Sequence, residues 1–431
     1  MRNAIDLATP ALLIMDEKRH ARLEGDPGVR TLVIERDWAS VPVAGVTELP
    51  DVEIGEDDPF ELLFTSGTTG RPKAAVLSHR CVLSYIQMQA YSTARAMSLA
   101  GIEPGEAAAK GGGSDRPAPT RLAVYPLFHV SGLATVVGCV AMGAKTVWPL
   151  GRFDPGRVIE LTKQEGINQW GGGTAHVMRL LEHPDAATVD PAQIWNVNVG
   201  GSATPPAVID RVEDIFPHLV GTTSSGYGST ETGLITNATH WMMRAAPEAS
   251  GTAYPTVSIR ITDDLGDVLP DGEAGHVQVR SWQNIISYWN NPAADAEAIR
   301  PGRWIRIGDY DRYEDGVLFI STRMRDLIIR GGENIYPFEI ENRLDEHPEV
   351  IEAAVYGIDS ATYGQEVKAV VVVRDGAEVD AAELQAFCAA ELASYKVPAV
   401  VEIRTELLPR TASGKIMKHV LAGAENTFVE E

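Results

Sequence analysis

Cysteine is scarce in this chain: Cys81, Cys139 and Cys388 are the only three in 431 residues, and they form no Cys-x-x-Cys pair. That spacing excludes a disulfide framework and a cysteine-bound zinc site, and it fits a reducing cytoplasm. Positive charge is also in deficit, with 37 Lys and Arg against 59 Asp and Glu, a net charge of −22. Nucleic acid and an anionic membrane surface are therefore poor partners, and a polyphosphate ligand would have to meet locally arranged donors. Long apolar runs are missing as well. The longest, residues 130–144, is broken by Gly132, Gly138 and Gly143 and falls short of a membrane span, so it reads as a buried helix. The apolar run at 11–15 is too short for the core of a signal peptide.

What is present is an ordinary globular composition, 44% hydrophobic and 22% charged, in a chain long enough for two or three domains. Residues 1–60 suggest a helix and one or two strands, a short lead-in to a large domain. Strand signals at 122–127, 144–148, 167–170, 194–199 and 222–227 alternate with helical ones at 155–165, 175–182 and 205–216. That rhythm predicts a mostly parallel, helix-covered sheet with ligands at the carboxyl ends of its strands. Residues 101–120 carry three consecutive glycines followed by two prolines and read as a surface loop. Short strands at 257–262, 275–280 and 317–320 predict a small antiparallel sheet or barrel. Beyond Arg323, helices at 338–344 and 381–392 flank strands at 350–357 and 366–373, the pattern of a compact α+β domain. The expected architecture is thus α/β, with a large domain at 1–324 and a small one at 325–431.

The strongest local signal is Thr65-Ser66-Gly67-Thr68-Thr69-Gly70-Arg71-Pro72-Lys73, which follows the apolar stretch 62–64. Backbone N–H groups and hydroxyls in such a loop can wrap a phosphate chain, and Lys73 adds a cation at its far end. Pro72 and Ala74 exclude the nucleotide loop that closes on Gly-Lys-Ser/Thr. Four further stretches carry chemistry. Ser225-Gly226-Tyr227-Gly228-Ser229-Thr230-Glu231 offers an aromatic face, hydroxyls and a carboxylate within a few positions; taken alone it also reads as a turn with a solvated acid. Gly308-Asp309 puts at a strand end a carboxylate able to accept from two ribose hydroxyls, although isolated Gly-Asp pairs are usually turns. Residues 323–341, with Arg323, Arg325, Gly331 and Gly332, suit a pivot between domains. The last stretch, 408–418, holds Lys415 on a Gly-containing loop whose ammonium can bridge two anions.

Together these stretches, in this order, resemble the adenylate-forming acyl-CoA synthetases, the AMP-binding or acyl-activating family, over about residues 61–418. The resemblance implies a two-step reaction in which a carboxylate attacks the α-phosphorus of MgATP, and coenzyme A then takes the acyl group. It implies phosphate contacts from Thr65 to Gly70 and Lys73, and adenine packing by Gly200, Gly201, Ser202, Ser225, Gly226 and Tyr227. Thr230 would touch the α-phosphate, Glu231 would hold Mg²⁺, and Asp309 and Arg323 would hold the ribose. Arg325 occupies the hinge position, so the small domain would be mobile. Gly331 and Gly332 would line the thiol's path. Lys415 would lie between the substrate carboxylate and the α-phosphate. The family usually has Gly before this Arg, whereas Thr322 precedes Arg323 here.

From spacing alone His129 reads as a satisfied histidine beside a buried helix; the resemblance makes it a gate at the acyl site. The segment 128–131 has no Asp to pair with an α-amine, which disfavours amino acids, and the short 292–304 connection leaves little room for the insertion of acyl-AMP ligases that load carrier proteins. Family members usually carry more chain before the phosphate loop, so a shortened nucleotide-binding remnant without turnover stands as the alternative. The acid's identity stays open among fatty, alicyclic, steroid side-chain and aryl classes, with a medium to long acyl chain placed slightly ahead. The expected partners are small molecules, with no nucleic acid and no integral membrane association; a homodimer is left open.

Overall fold

The computed structural model describes residues 2–23, 25–41, 50–65, 73–99, 119–200, 206–320, 322–323, 326–411 and 415–423. Its parallel half follows from strong local punctuation. The helix Pro155–Glu165 begins where the Asp154 carboxylate accepts from the Arg157 N–H at 2.8 Å, with Pro155 in the first turn, and it ends at Gly166 in the left-handed region (φ 69°). Its apolar stripe and those of the helices Thr174–Glu182 and Pro206–Ile215 pack on one face of a sheet. The core between them holds Val158, Ile159, Trp170, Leu180, Val197, Val212 and Phe216. Trp170 is fully buried and donates its indole N–H to Thr162 at 3.0 Å, so burying this large side chain leaves no polar group unmet.

Among the described residues this sheet has nine strands. Five are parallel, in the order Ser224–Ser229, Asn196–Gly200, Gln169–Gly172, Thr120–Leu122, Lys145–Val147. Four antiparallel strands extend it, Gly233–Thr239, Ala249–Ala253, Val317–Phe319 and Tyr313–Glu314. The alternation read from the sequence therefore holds, with three strands beginning two residues later than expected; the strand expected at 122–127 is instead Thr120–Leu122, and residues 123–127 are not strand. The strand near 317–320 differs: it joins this large sheet beside Ala249–Ala253 instead of the small one. The small antiparallel sheet is built from Val257–Thr262, Gly275–Ser281, Trp304–Asp311 and Ile299–Arg300. The N-terminal lead-in contains helices Arg2–Ala8 and Glu17–Ala21 and a parallel pair of strands, Leu12–Met15 and Arg30–Val33.

The apolar segment at 130–144 is a helix, Val130–Met142, but it is only half buried: Val140 is 77% and Met142 46% exposed. A segment apolar on every side gives no period from which to read which face is covered. The expected loop at 101–120 lies mostly outside the described residues, and Thr120 at its end is a buried strand residue.

The small α+β unit centres on the long antiparallel pair Val350–Ser360 and Gly364–Val373, with Val400–Arg404 alongside in parallel. Its strands bury both faces. Val355, Val367, Ala369 and Val371 meet the helices Pro337–Asp345 and Ala381–Ala389 through Ile340, Leu344, Leu384 and Cys388. On the opposite face Ala354, Tyr356, Val370 and Val372 meet Leu408, Ile416 and Leu421, so the segment carrying Lys415 is packed directly on the sheet.

Gly132 sits where the helix Val130–Met142 crosses the preceding loop, and a Cβ there would lie 2.1 Å from the Pro126 carbonyl oxygen. Because backbone would have to move, Gly132→Ala is expected to lower stability by about 1–3 kcal/mol, read from the midpoint of chemical denaturation.

Candidate active site

The antiparallel strand pair Pro59–Thr65 and Lys73–Ser78 sets Thr65 opposite Lys73. Ser66, Gly67, Thr68, Thr69 and Gly70 lie outside the described residues, as do Gly201, Ser202 and Arg325. Lys73 is held by groups that the sequence did not single out. Its ammonium lies 5.3 Å from the centroid of the Tyr288 ring and 3.5 Å from a Glu297 carboxylate oxygen. Tyr288 in turn donates its hydroxyl to Glu231 Oε1 at 2.9 Å. Burial and then the Glu231 charge push the Tyr288 phenol far above its ordinary range, so it remains a donor. Lys73, Tyr288 and Glu231 thus form one chain of contacts from the strand Lys73–Ser78 to the Thr230-Glu231 turn.

That turn links strands Ser224–Ser229 and Gly233–Thr239. A Cβ on Gly228 would lie 2.0 Å from the Gly233 carbonyl oxygen, so a side chain there would break the turn. Gln283 braces its far side, accepting from the Leu234 N–H at 3.0 Å and donating to the Leu234 carbonyl at 3.1 Å. Tyr227 donates its hydroxyl to Asp309. Asp309 lies within the strand Trp304–Asp311, not at its end, and is 5% exposed; Gly308 before it has φ 83°. The backbone of Arg323 pairs with that of Asp309 across the strand Thr322–Arg323.

Thr65, Lys73, His129, Gly200, Ser225, Gly226, Tyr227, Thr230, Glu231, Asp309 and Lys415 all line one cleft of about 2730 Å³ between the large and small units. Gly331 and Gly332, both with positive φ, are not among its lining residues. His129 caps the helix Val130–Met142, its Nδ1 accepting from the Ser131 N–H at 3.2 Å. Burial, and then the Lys415 ammonium, lower its pKa to about 4, so the imidazole is neutral near pH 7.

Lys415 is positioned by its own strand-like loop and by two acids. Arg410 and Ile416 form a bridge, the Thr411 N–H donates to the Lys415 carbonyl at 2.8 Å, and the Lys415 N–H donates to Thr411 Oγ1 at 3.2 Å. Before the loop, Glu352 (8% exposed) pairs with Arg410 and accepts from the Leu408 N–H at 2.7 Å. After it, Glu341 pairs with Lys418 at 2.7 Å and accepts from the Val355 N–H at 2.7 Å. Neither acid was legible as functional, because each lies more than fifty residues from the loop and is an ordinary acid in its local sequence.

The match to known families decides what this cleft belongs to. Residues 1–289 match the AMP-binding enzyme model, and residues 339–415 match the model of the AMP-binding enzyme C-terminal domain. The chain belongs to the AMP-binding enzyme family. It is 33% identical over 382 residues to a feruloyl-CoA synthase of an Amycolatopsis species, covering 86% of this chain and 71% of that one. With a long-chain-fatty-acid–CoA ligase of Bacillus subtilis it shares 32% over 373 residues, 86% of this chain and 62% of that one. The crystal structure of ATP-bound MatB from Rhodopseudomonas palustris superposes with a TM-score of 0.80 at 27% identity, covering 97% of this chain and 80% of that one. The fold expected from the sequence, a large N-terminal α/β unit followed by a small one, is therefore the family's. This AMP-binding enzyme is an adenylate-forming, acyl-CoA synthetase-like ligase, the reaction class expected from its motifs.

Two predictions follow from the site of this AMP-binding enzyme. Glu352→Gln keeps an acceptor for the Leu408 N–H but removes the charge facing Arg410. It is expected to slow acyl-adenylate formation by about tenfold or more while leaving thioester formation from supplied acyl-adenylate within about twofold, measured as separate half-reactions. The second prediction concerns acid. His176 also has its pKa lowered to about 4, by burial first and then by Arg179 and Arg410. Its unfolded value is near 6.5, so between these values the unfolded chain binds more protons and stability falls as pH drops. The urea midpoint is expected to fall from about pH 7 to about pH 5, and His176→Gln to reduce that fall.

Proposed function

We propose that the chain activates a carboxylic acid with ATP, giving acyl-AMP and pyrophosphate, and then passes the acyl group to the thiol of coenzyme A. The observation that carries the site assignment is that Lys415 of the small unit lines the same cleft as Lys73, Glu231 and Asp309 of the large one, near enough to His129 to disfavour a charge on its ring. In this reading Lys73 and the hydroxyl-rich loop receive the phosphate chain, Tyr227 packs on the base, and Asp309 holds the ribose. Lys415 sits between the incoming carboxylate and the α-phosphate, where its charge offsets the repulsion of two anions and stabilises the negative charge that builds as they join.

A magnesium ion fits the donor set. Among the described residues no group of three or more His, Cys, Asp and Glu side chains converges on a metal position, and Glu231 offers a single carboxylate. One carboxylate plus the nucleotide's phosphates and water is the coordination that Mg²⁺ favours. Glu231 would hold it, and the ion would supply charge neutralisation on the phosphates. Tyr288 fixes one Glu231 oxygen, which orients the other.

The conformation in hand supports the first half-reaction, since Lys415 faces the cleft and Gly331-Gly332 does not line it. For the second, we place the boundary between residues 324 and 325 and the pivot at Arg325. Rotation there would withdraw Lys415 and bring Gly331-Gly332 to the thiol's path. Three buried, unpaired cysteines support a reducing, cytoplasmic setting. Among the described residues no helix is long and apolar enough to cross a membrane.

ATP–pyrophosphate exchange driven by a panel of carboxylic acids tests the reading. Lys415→Ala is expected to lower exchange by about 10²–10³-fold while ATP binding persists. ATP binding without exchange for any acid would favour a nucleotide-binding remnant.

A further inference from the structure

The cleft continues beneath the parallel strands, away from Tyr227 and Thr230, and its floor there is polar. Alternate residues of a strand share a face, and the register gives the order of what an acyl group would meet. Gly200 pairs with Gly226 in the row nearest the nucleotide residues. Gly171, Asn198 and Ser224 form the next row, and Arg121, Gln169 and Asn196 the one beyond. From the first row to the last is four residues along the strand Asn196–Gly200, about 13 Å. The opposite face of the same strands, with Leu122, Trp170 and Val197, is hydrophobic core, so Arg121 is on the cleft side by register and not by chance exposure.

Arg121 is held but its charge is not matched. Its Nε donates to Gln169 Oε1 at 3.1 Å and its Nη1 to Gln89 Oε1 at 3.4 Å, and among the described residues it makes no ion pair. Gln89 is fixed in turn by donating to the Ala134 carbonyl at 3.0 Å, so the guanidinium is oriented by neutral amides anchored in two different helices' surroundings and a strand. In the same row, on the far side of Gln169, the Asn196 Oδ1 is buried and has no hydrogen-bond partner among the described residues. An alkyl chain laid across this floor would strip water from a guanidinium and several amides and return nothing. A carboxylate would give the guanidinium two acceptors in the geometry its fork requires, and the Asn196 amide, turned by a half-rotation, would offer N–H to the same oxygens.

We propose that Arg121 is a specificity-determining residue that receives a second carboxylate at the far end of the acyl group, so that the acid activated by this enzyme is a dicarboxylic acid. The inference rests on the reading of the cleft as a carboxylate-activating site. It replaces the slight preference for a medium to long fatty acyl chain with a substrate whose two carboxylates are separated by on the order of 10 Å, somewhat less than the row-to-row distance because the Arg121 side chain reaches toward the ligand.

The test compares dicarboxylic acids of graded length with their monomethyl esters in ATP–pyrophosphate exchange, using the full chain and its Arg121→Gln variant. The diacid is expected to exceed its monoester by about tenfold or more in kcat/KM at the matching length, and Arg121→Gln to shrink that ratio to within about threefold. A wild-type ratio near one, or a ratio that survives Arg121→Gln, overturns the proposal. Should no acid support exchange, the carboxylate-activation reading fails, and thermal shift with the same ligand pairs still decides Arg121. A larger shift with the diacid that disappears in Arg121→Gln upholds the anion site, and equal shifts for diacid and monoester overturn it.

Discussion

The partly buried ion pair between Glu352 and Arg410 is the contact on which the placement of Lys415 depends. Removing two charges from water costs several kcal/mol per ion, and their attraction alone often fails to offset it. Here the arrangement fixes a geometry. Glu352 also binds the Leu408 N–H, Glu341 does the same work on the other flank through Lys418 and the Val355 N–H, and the loop between them is closed by the Thr411 contacts to Lys415. Both acids are anchored to the long strand Val350–Ser360 or to the helix packed on it, so the loop inherits the rigidity of a sheet buried on both faces. A single ammonium on a flexible stem is thereby delivered from one unit to a cleft formed largely by another.

The large unit answers with a cradle that is tied together crosswise. Tyr288 comes from a two-residue strand paired with Lys73–Ser78, and it reaches both Lys73 and Glu231. Gln283 joins the same segment to Leu234 beyond the turn. The strand Lys73–Ser78 and the turn at 230–232 are far apart in sequence, and the segment 283–288 links them. In this acidic chain Lys73 lies beside the Tyr288 ring and a Glu297 carboxylate, which limits its reach.

Much of the fold was legible because its signals are local. The Asp154-Pro155 start and Gly166 stop of one helix, the strand–helix alternation through the parallel sheet, and the valine-rich strands of the small unit are all periodic or punctuated. The motif stretches stand out because they are dense and ordered, and of their described residues Thr65, Lys73, Tyr227, Thr230, Glu231, Asp309 and Lys415 line one cleft. What could not be read depends on pairing between distant segments. The strand Val317–Phe319 looks like its neighbours in the small sheet, yet its register is with Ala249–Ala253. The helix Val130–Met142 has no polar face from which to judge burial. Tyr288, Glu352 and Arg121 are unremarked in their local sequence and acquire meaning only from partners 57, 58 and 48 residues away.

The hydroxyl of Tyr227 resting on Asp309 has a consequence for how two sheets are held together. The tyrosine comes from the strand Ser224–Ser229 of the nine-stranded sheet and the acid from Trp304–Asp311 of the small antiparallel one, so the contact is a side-chain tie between them. A group that drew the carboxylate away from the phenol would loosen that tie, and the spacing of the two sheets would register its arrival.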